Sequence, residues 1–163
     1  MISFRNVVGY LETIADKHYE INSFHSGMMD EVDINKLGAT DYVILYAEPG
    51  NVVINQGVLI YNFTIFVMDM INDEVGDSPN KQRLGRVDGY SETLNILQDV
   101  VAEFKHSLTT QSWVDDEVVL QLPITAEPFT ARFNNLLTGW SASISVDVNN
   151  KNNLCIAPIE ANT

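Results

Sequence analysis

The fold is decided by residues 57–70, which read Gly-Val-Leu-Ile-Tyr-Asn-Phe-Thr-Ile-Phe-Val-Met-Asp-Met. Side chains in this stretch alternate with a period of two, which predicts a long β-strand. Both faces of the strand are largely apolar, so both are expected to be covered. Helices can cover one face. For the other we consider contact with a neighbouring subunit, with Phe63 and Ile65 as candidate interface residues. The alternative is a central strand in an ordinary two-layer core.

A helix and a shorter strand precede this stretch. Apolar residues spaced for one helical face start at residue 4, Ser3 is a plausible N-cap, and the helix is expected to fade near Tyr19. Residues 22–41 are polar and mixed, which predicts a long connection. Residues 42–46 (Tyr-Val-Ile-Leu-Tyr) predict a strand, and the Glu-Pro-Gly-Asn of residues 48–51 predicts the turn of a long β-hairpin.

A polar loop over residues 72–88 is expected to lead into a second helix, over about residues 90–108. Asp88 or Ser91 can cap its start. Its apolar stripe gives four predicted core residues, to which we add Trp140 from the last third of the chain. The predicted core residues are Leu94, Leu97, Val101, Phe104 and Trp140.

The last third returns to strand patterning. Residues 117–122 predict a short strand that stops at Pro123, and a connecting segment containing Pro128 and Phe129 follows. Residues 141–148 alternate strictly, and residues 154–157 predict a short final strand. The predicted fold is α+β: one mainly antiparallel β-sheet packed under two α-helices, with a long β-hairpin. At 163 residues, a single domain over residues 1–163 is expected.

Composition excludes some classes of protein. Acidic residues number 22 against 9 basic residues, giving a net charge of −13. A binder of duplex DNA or of an anionic membrane normally has a basic face, so neither role is expected. The one cysteine, Cys155, fits a reducing compartment, and the N-terminal residues lack the pattern of a signal peptide. We therefore expect an intracellular product with no membrane span.

The chain contains no strong catalytic motif. Residues 78–81 match S-x-x-K by letter but lie in the predicted polar loop, and the three histidines share no metal-ligand spacing. We therefore expect no enzymatic activity, no cofactor and no metal site. The alternative is a protein that binds a divalent metal ion through Asp69, Asp73 and Asp77, although these residues lack the register of a calcium loop.

One local charge feature contrasts with the acidic chain. Lys81, Arg83 and Arg86 place three of the nine basic residues within six positions of the predicted loop. Such a loop is attracted to an acidic patch on another copy or on a partner, which makes these residues candidates for an interface. The alternative is an exposed loop that its charges keep soluble.

The order of elements resembles that of tailed-bacteriophage neck proteins, specifically tail terminator (tail completion) proteins. The resemblance covers most of the chain and rests on six stretches. These are residues 41–45 (Asp-Tyr-Val-Ile-Leu), 66–69 (Phe-Val-Met-Asp), 91–93 (Ser-Glu-Thr), 128–133 (Pro-Phe-Thr-Ala-Arg-Phe), 139–144 (Gly-Trp-Ser-Ala-Ser-Ile) and 153–159 (Asn-Leu-Cys-Ile-Ala-Pro-Ile). Members of this family often have Tyr-Pro where this chain has Tyr42-Val43.

The resemblance implies a structural virion protein that assembles in the host cytoplasm into a ring, commonly a hexamer. Such a ring caps the tail tube and joins it to the head connector, with the helices outside and subunit contacts at the hairpin. Genomic DNA would pass through the lumen without specific binding, which an acidic chain suits because negative walls repel phosphates. The rival interpretation is a head-completion or connector-ring subunit of the same virion.

Overall fold

The structure, a computed structural model, describes residues 2–28, 42–70, 82–110, 118–132 and 136–149. Within these residues the chain has the predicted α+β fold, with two helices and six strands. In chain order they are α1 (Phe4–Lys17), β1 (Ser23–Ser26), β2 (Ile44–Asn55), β3 (Val58–Met70), α2 (Gln82–Thr110), β4 (Val118–Leu120), β5 (Ala126–Arg132) and β6 (Leu136–Asn149).

The strands form one mostly antiparallel sheet in the order β1-β2-β3-β6-β4. Only β1 and β2 are parallel neighbours. Strand β6 pairs with β3 over the whole length of β3, and its other edge pairs with β5 and then with β4. The long β2–β3 hairpin and β6 therefore form the middle of the sheet.

Helix α1 begins as its sequence predicts. The Ser3 hydroxyl accepts a hydrogen bond from the backbone N–H of Asn6 at 3.2 Å, and Asn6 Oδ1 accepts one from the backbone N–H of Ser3 at 2.9 Å. This reciprocal pair satisfies two donors that the first helical turn leaves without intrahelical partners. The helix ends at Lys17, two residues before the predicted Tyr19.

Both helices pack on the same face of the sheet. That face carries the odd-numbered residues of β3, including Phe63 and Ile65, which lie in one cluster with the buried residues of α1 and α2. Phe4 of α1 stacks on Phe63 with ring centroids 5.0 Å apart. The Tyr61 hydroxyl donates to the carbonyl oxygen of Ile2 at 3.3 Å. These contacts bind α1 to the centre of the sheet.

The opposite face of the sheet is covered differently. A small second cluster, with Tyr42 and Phe66 packed against it, buries residues near one end of the β2–β3–β6 ladder. The Tyr46 hydroxyl donates to the carbonyl oxygen of Gly27 at 2.9 Å. Towards the hairpin turn the same face is partly or fully exposed. The buried members of this cluster are Ile44, Tyr46, Met68 and Leu137.

The hairpin turns later than the sequence predicted. Residues 48–51 do not form the turn, because β2 continues to Asn55 and shifts register between Pro49 and Val52 as a β-bulge. The turn lies at Gln56 and Gly57, where Gly57 has a φ of 82° that glycine adopts without a steric cost. A Pro-Gly pair in a strand is compatible with a bulge as well as with a turn.

Helix α2 begins earlier than predicted, at Gln82 instead of near residue 90, so the proposed caps Asp88 and Ser91 lie inside the helix. The apolar stripe marks only the part of a helix that packs on other elements. Val87, in the early part of α2, is 57% exposed. The spacing of apolar residues therefore did not predict this part of the helix.

The buried stripe of α2 is also rotated relative to the prediction. Leu97 and Phe104 are buried, whereas Leu94 and Val101 are only half-buried. Thr93 is fully buried. Its hydroxyl tolerates burial because it donates a hydrogen bond to the carbonyl oxygen of Gly89 at 2.6 Å, one turn earlier in the helix. The other buried residues of the stripe are Ile96 and Val100.

Two strands were not predicted. Residues 23–26 form β1 in the region expected to be a connection, and residues 126–132 form β5 although they include Pro128. Each of these strands lies at an edge of the sheet and pairs with one neighbouring strand. An edge strand tolerates a proline such as Pro128, because one side of its backbone makes no ladder hydrogen bonds. The short strand predicted over residues 154–157 lies outside the described residues.

Candidate interaction surfaces

The described part of the chain brings together no group of three or more histidine, cysteine, aspartate or glutamate side chains able to hold a metal ion. Of the three carboxylates considered for a divalent ion, Asp69 lies near the end of β3, and Asp73 and Asp77 lie outside the described residues. In the same part of the chain, neither helix is long and apolar enough to cross a membrane.

Asp69 occupies an unusual environment for a carboxylate. Partial burial raises its pKa above that of an exposed aspartate, and a hydrogen bond from the backbone N–H of Met70 to Oδ1, at 2.7 Å, opposes that shift. Directly across the ladder lies Thr138, whose buried hydroxyl has no hydrogen-bond partner among the described residues. Because burial raises its pKa, folding favours the protonated, uncharged form of Asp69.

A histidine–aspartate pair joins the two helices. His18 Nε2 lies 3.3 Å from Asp99 Oδ2, and His18 Nδ1 accepts a hydrogen bond from the backbone N–H of Glu20 at 3.2 Å. The acceptor role of Nδ1 places the proton of a neutral ring on Nε2, which can donate to Asp99. Both ring nitrogens thus have partners, and the pair ties the end of α1 to α2.

A groove of about 720 Å³ lies beside this pair. Lys17 and Tyr19 lie at one side, and Asp99 and Glu103 of α2 lie at the other. Tyr19 is fully exposed, and partial burial raises the pKa of Tyr10 within the groove. The mixed charges of this lining give it no single ligand chemistry.

The predicted basic loop is corrected by the structure. Arg83 and Arg86 belong to the first turns of α2 and not to a loop, whereas Lys81 lies outside the described residues. In an α-helix, residues three apart are neighbours on one surface. The two arginines therefore remain candidates for a shared interface, on a helix.

The predicted interface residues of β3 are also corrected. Phe63 and Ile65 are 2% and 1% exposed and pack under the helices of their own chain, so they have no surface to offer a second subunit. The face of β3 that remains accessible is the even-numbered one. Trp140 is half-buried against the main core and contacts α2 at Tyr90.

Polar groups follow the accessible face of the sheet along its middle strands. The Ser145 hydroxyl donates to Asn62 Oδ1, and Asn62 Nδ2 donates to Asn51 Oδ1 at 2.8 Å. Gln121 Nε2 donates to Asp147 Oδ1 at 2.8 Å. Hydroxyl and amide groups thus bond to each other across β6, β3 and β2, and the Asp147 carboxylate accepts from Gln121, so none of these bonded groups is a cation.

The end of the β2–β3 hairpin exposes four apolar side chains close together. Residues 50–58 are all exposed, and Ile54 is exposed at 73%. The sequence prediction missed this surface because it placed the turn before it. The pattern itself was visible, since three β-branched residues follow the proposed turn. The exposed apolar side chains here are Val52, Val53, Ile54 and Val58.

No family model matches this chain, and no curated protein matches it.

Proposed function

We propose that this chain is a structural subunit of a tailed-bacteriophage neck, a tail terminator that forms a ring, caps the tail tube and joins it to the head connector. The observation that carries the proposal is the exposed apolar end of the β2–β3 hairpin, residues 50–58. A subunit that never associates has no need to expose four β-branched side chains in one place. A ring subunit buries such a surface against its neighbours.

The division of the sheet into two faces supports the same proposal. Helices pack on one face, and the other face carries the hydroxyl and amide groups of Asn62, Ser145 and their neighbours. A face of this kind does not attract phosphates, because it offers no cationic side chain among the bonded residues. It suits a surface past which DNA moves without being held.

The net charge of −13 is the third supporting observation. Negative walls repel nucleic-acid phosphates, so an acidic ring reduces adhesion of the genome during its passage. The same charge opposes association of subunits at low salt. Assembly of the proposed ring should therefore be favoured by moderate salt, which screens the repulsion.

The test is the native mass of the full chain by light scattering, with negative-stain images of the same sample. A closed ring of about the mass of a hexamer, which then caps purified tail tubes, is the expected result. Rings that bind head connectors but ignore tail tubes would instead favour the head-completion alternative. A chain that forms no ring, alone or on tail tubes, would contradict both assignments.

A further inference from the structure

The outer edge of β2 changes character along its length. Strand β1 pairs only with residues 44–47 of β2. The backbone N–H of Gly27, the residue after β1, donates to the carbonyl oxygen of Ala47. From Val52 to Asn55, none of the described strands pairs with this edge, while the other edge of these residues pairs regularly with β3. Within the described part of the chain, this segment therefore has a row of backbone donors and acceptors that can pair with another strand.

The sequence of the open segment is nearly palindromic. Residues 51–55 read Asn-Val-Val-Ile-Asn, with Val53 at the centre. An antiparallel pairing of two such segments about a two-fold axis places Val53 opposite its own copy. It places Val52 opposite Ile54, and Asn51 opposite Asn55, so that every cross-strand pair joins residues of the same type.

The charge distribution favours this surface for contact between copies. Two chains of charge −13 repel each other on average, and an uncharged surface lets them meet without placing like charges in contact. Residues 49–68 contain no aspartate, glutamate, lysine, arginine or histidine. The usual protections of an edge strand, a proline and a bulge, lie between Pro49 and Val52 and so affect only the start of the open segment, leaving Val53 to Asn55 without either.

We infer that two copies of this chain associate through antiparallel pairing of residues 51–55 of β2, which joins their sheets into one continuous sheet. In this arrangement Ile54 is covered by Val52 of the other copy, and the two Val53 side chains meet on the accessible face. Asn51 Oδ1 still accepts the hydrogen bond from Asn62 Nδ2, and the Asn51 side-chain N–H groups can donate to Asn55 of the other copy. The pair covers part of the hairpin surface that the proposed ring would bury, and an isologous pair does not propagate into a ring, so the pair and the ring are separate assemblies that are tested separately.

The first test compares the full chain with Val53→Lys and Val119→Lys by light scattering over a wide concentration range. Val119 is the matched control, because the pairings Val53–Ile60, Ile60–Asp147 and Asp147–Val119 place it in the same cross-strand row at the opposite edge of the sheet. Both variants change the net charge equally. We expect Val53→Lys to weaken pairing at least about tenfold, because two lysines then face each other, and Val119→Lys to leave it unchanged.

The second test fixes the register by cysteine cross-linking in a Cys155→Ser background. Val53→Cys should form an intermolecular disulfide under mild oxidation. Ile54→Cys alone should not, because two copies of residue 54 would have Cα atoms about 8 Å apart, beyond disulfide reach. A mixture of Val52→Cys and Ile54→Cys chains should cross-link. This test still decides the question if Val53→Lys fails to fold or if the chain also forms rings.

Several results would overturn the inference. They are a Val53→Cys chain in the Cys155→Ser background that forms no cross-link, a pair that Val119→Lys disrupts as much as Val53→Lys, and open-ended fibrils in place of a discrete pair. Salt gives a further criterion. Screening of the repulsion between acidic chains should strengthen the pair, so a pair that salt weakens would show a charge-mediated contact and contradict the uncharged one.

Discussion

The indole Nε1–H of Trp140 donates to the backbone carbonyl oxygen of Tyr90 at 2.7 Å, and the two rings meet edge to face with centroids 5.9 Å apart. Trp140 belongs to β6 and Tyr90 to α2, so this pair attaches the long helix to the middle of the sheet. The tryptophan contributes both an apolar contact and a directed hydrogen bond at the same position.

Replacing Trp140 by alanine should lower the free energy of unfolding by roughly 3 kcal/mol. This value is at the low end of the range for a large aromatic side chain, because Trp140 is only half-buried. Trp140→Phe keeps an aromatic ring and loses the hydrogen bond, so its cost should be nearer 1 kcal/mol. Urea denaturation measures both. Tyr19→Ala is the control, since Tyr19 is fully exposed and its loss should change stability little. A Trp140→Ala cost below about 1 kcal/mol would contradict the contact.

Gly139 is required by a close approach between β6 and β3. A Cβ atom added at Gly139 would collide with the backbone carbonyl of Val67, and neither strand can shift alone within the ladder. Gly139→Ala should therefore destabilise the fold by more than about 1 kcal/mol in thermal or urea denaturation. Gly9→Ala is the matched control: a Cβ at Gly9 of α1 meets no atom within 4 Å, and alanine favours the helix by about 0.5–1 kcal/mol. Equal effects of the two substitutions would refute this explanation.

Asp69 should make stability depend on pH. Burial raises the pKa of Asp69 in the folded state, so its favourable contribution is fully present below the pKa of an unfolded aspartate and is lost as pH rises through the folded value. Asp69→Asn keeps an oxygen for the Met70 N–H and removes the charge. The variant should therefore be more stable than wild type at neutral pH and similar near pH 3. Melting temperatures of both proteins across this range measure the difference, and a constant difference at all pH values would contradict the assignment.

Reversing the charges of Arg83 and Arg86 to glutamate should lower the yield of the proposed ring more than it lowers stability. The two arginines lie in the first turns of α2, and cationic residues on an acidic chain are attracted to acidic surfaces of other copies or partners. Stability should change by no more than about 0.5 kcal/mol if the positions are on the surface. Arg5→Glu with Lys17→Glu, both exposed on α1, is a control with the same change of net charge. Unchanged ring yield at physiological salt would remove these arginines from the interface.

The candidate surface could be predicted only in part. The sequence identified a long β-hairpin and an apolar strand with two distinct faces, and it named Phe63 and Ile65 because they lie on one of them. It could not tell which face the helices cover, because alternation is the same whichever face is buried. It also placed the turn at residues 48–51, and so the exposed Val52 to Ile54 segment was overlooked. Turn propensity is local, whereas the position of a bulge depends on the partner strand.

What the sequence determined by itself was the set of features governed by neighbours along the chain. The Ser3 cap of α1, the alternation of β3 and β6, the helical period of α2 and the α+β class all follow from short-range geometry and composition. The tertiary structure decided which face of β3 became core, how α2 rotated to bury Thr93, and where β1 ended along β2. These depend on contacts between residues far apart in the chain. Their free energies arise from packing against particular partners, which local patterns do not specify.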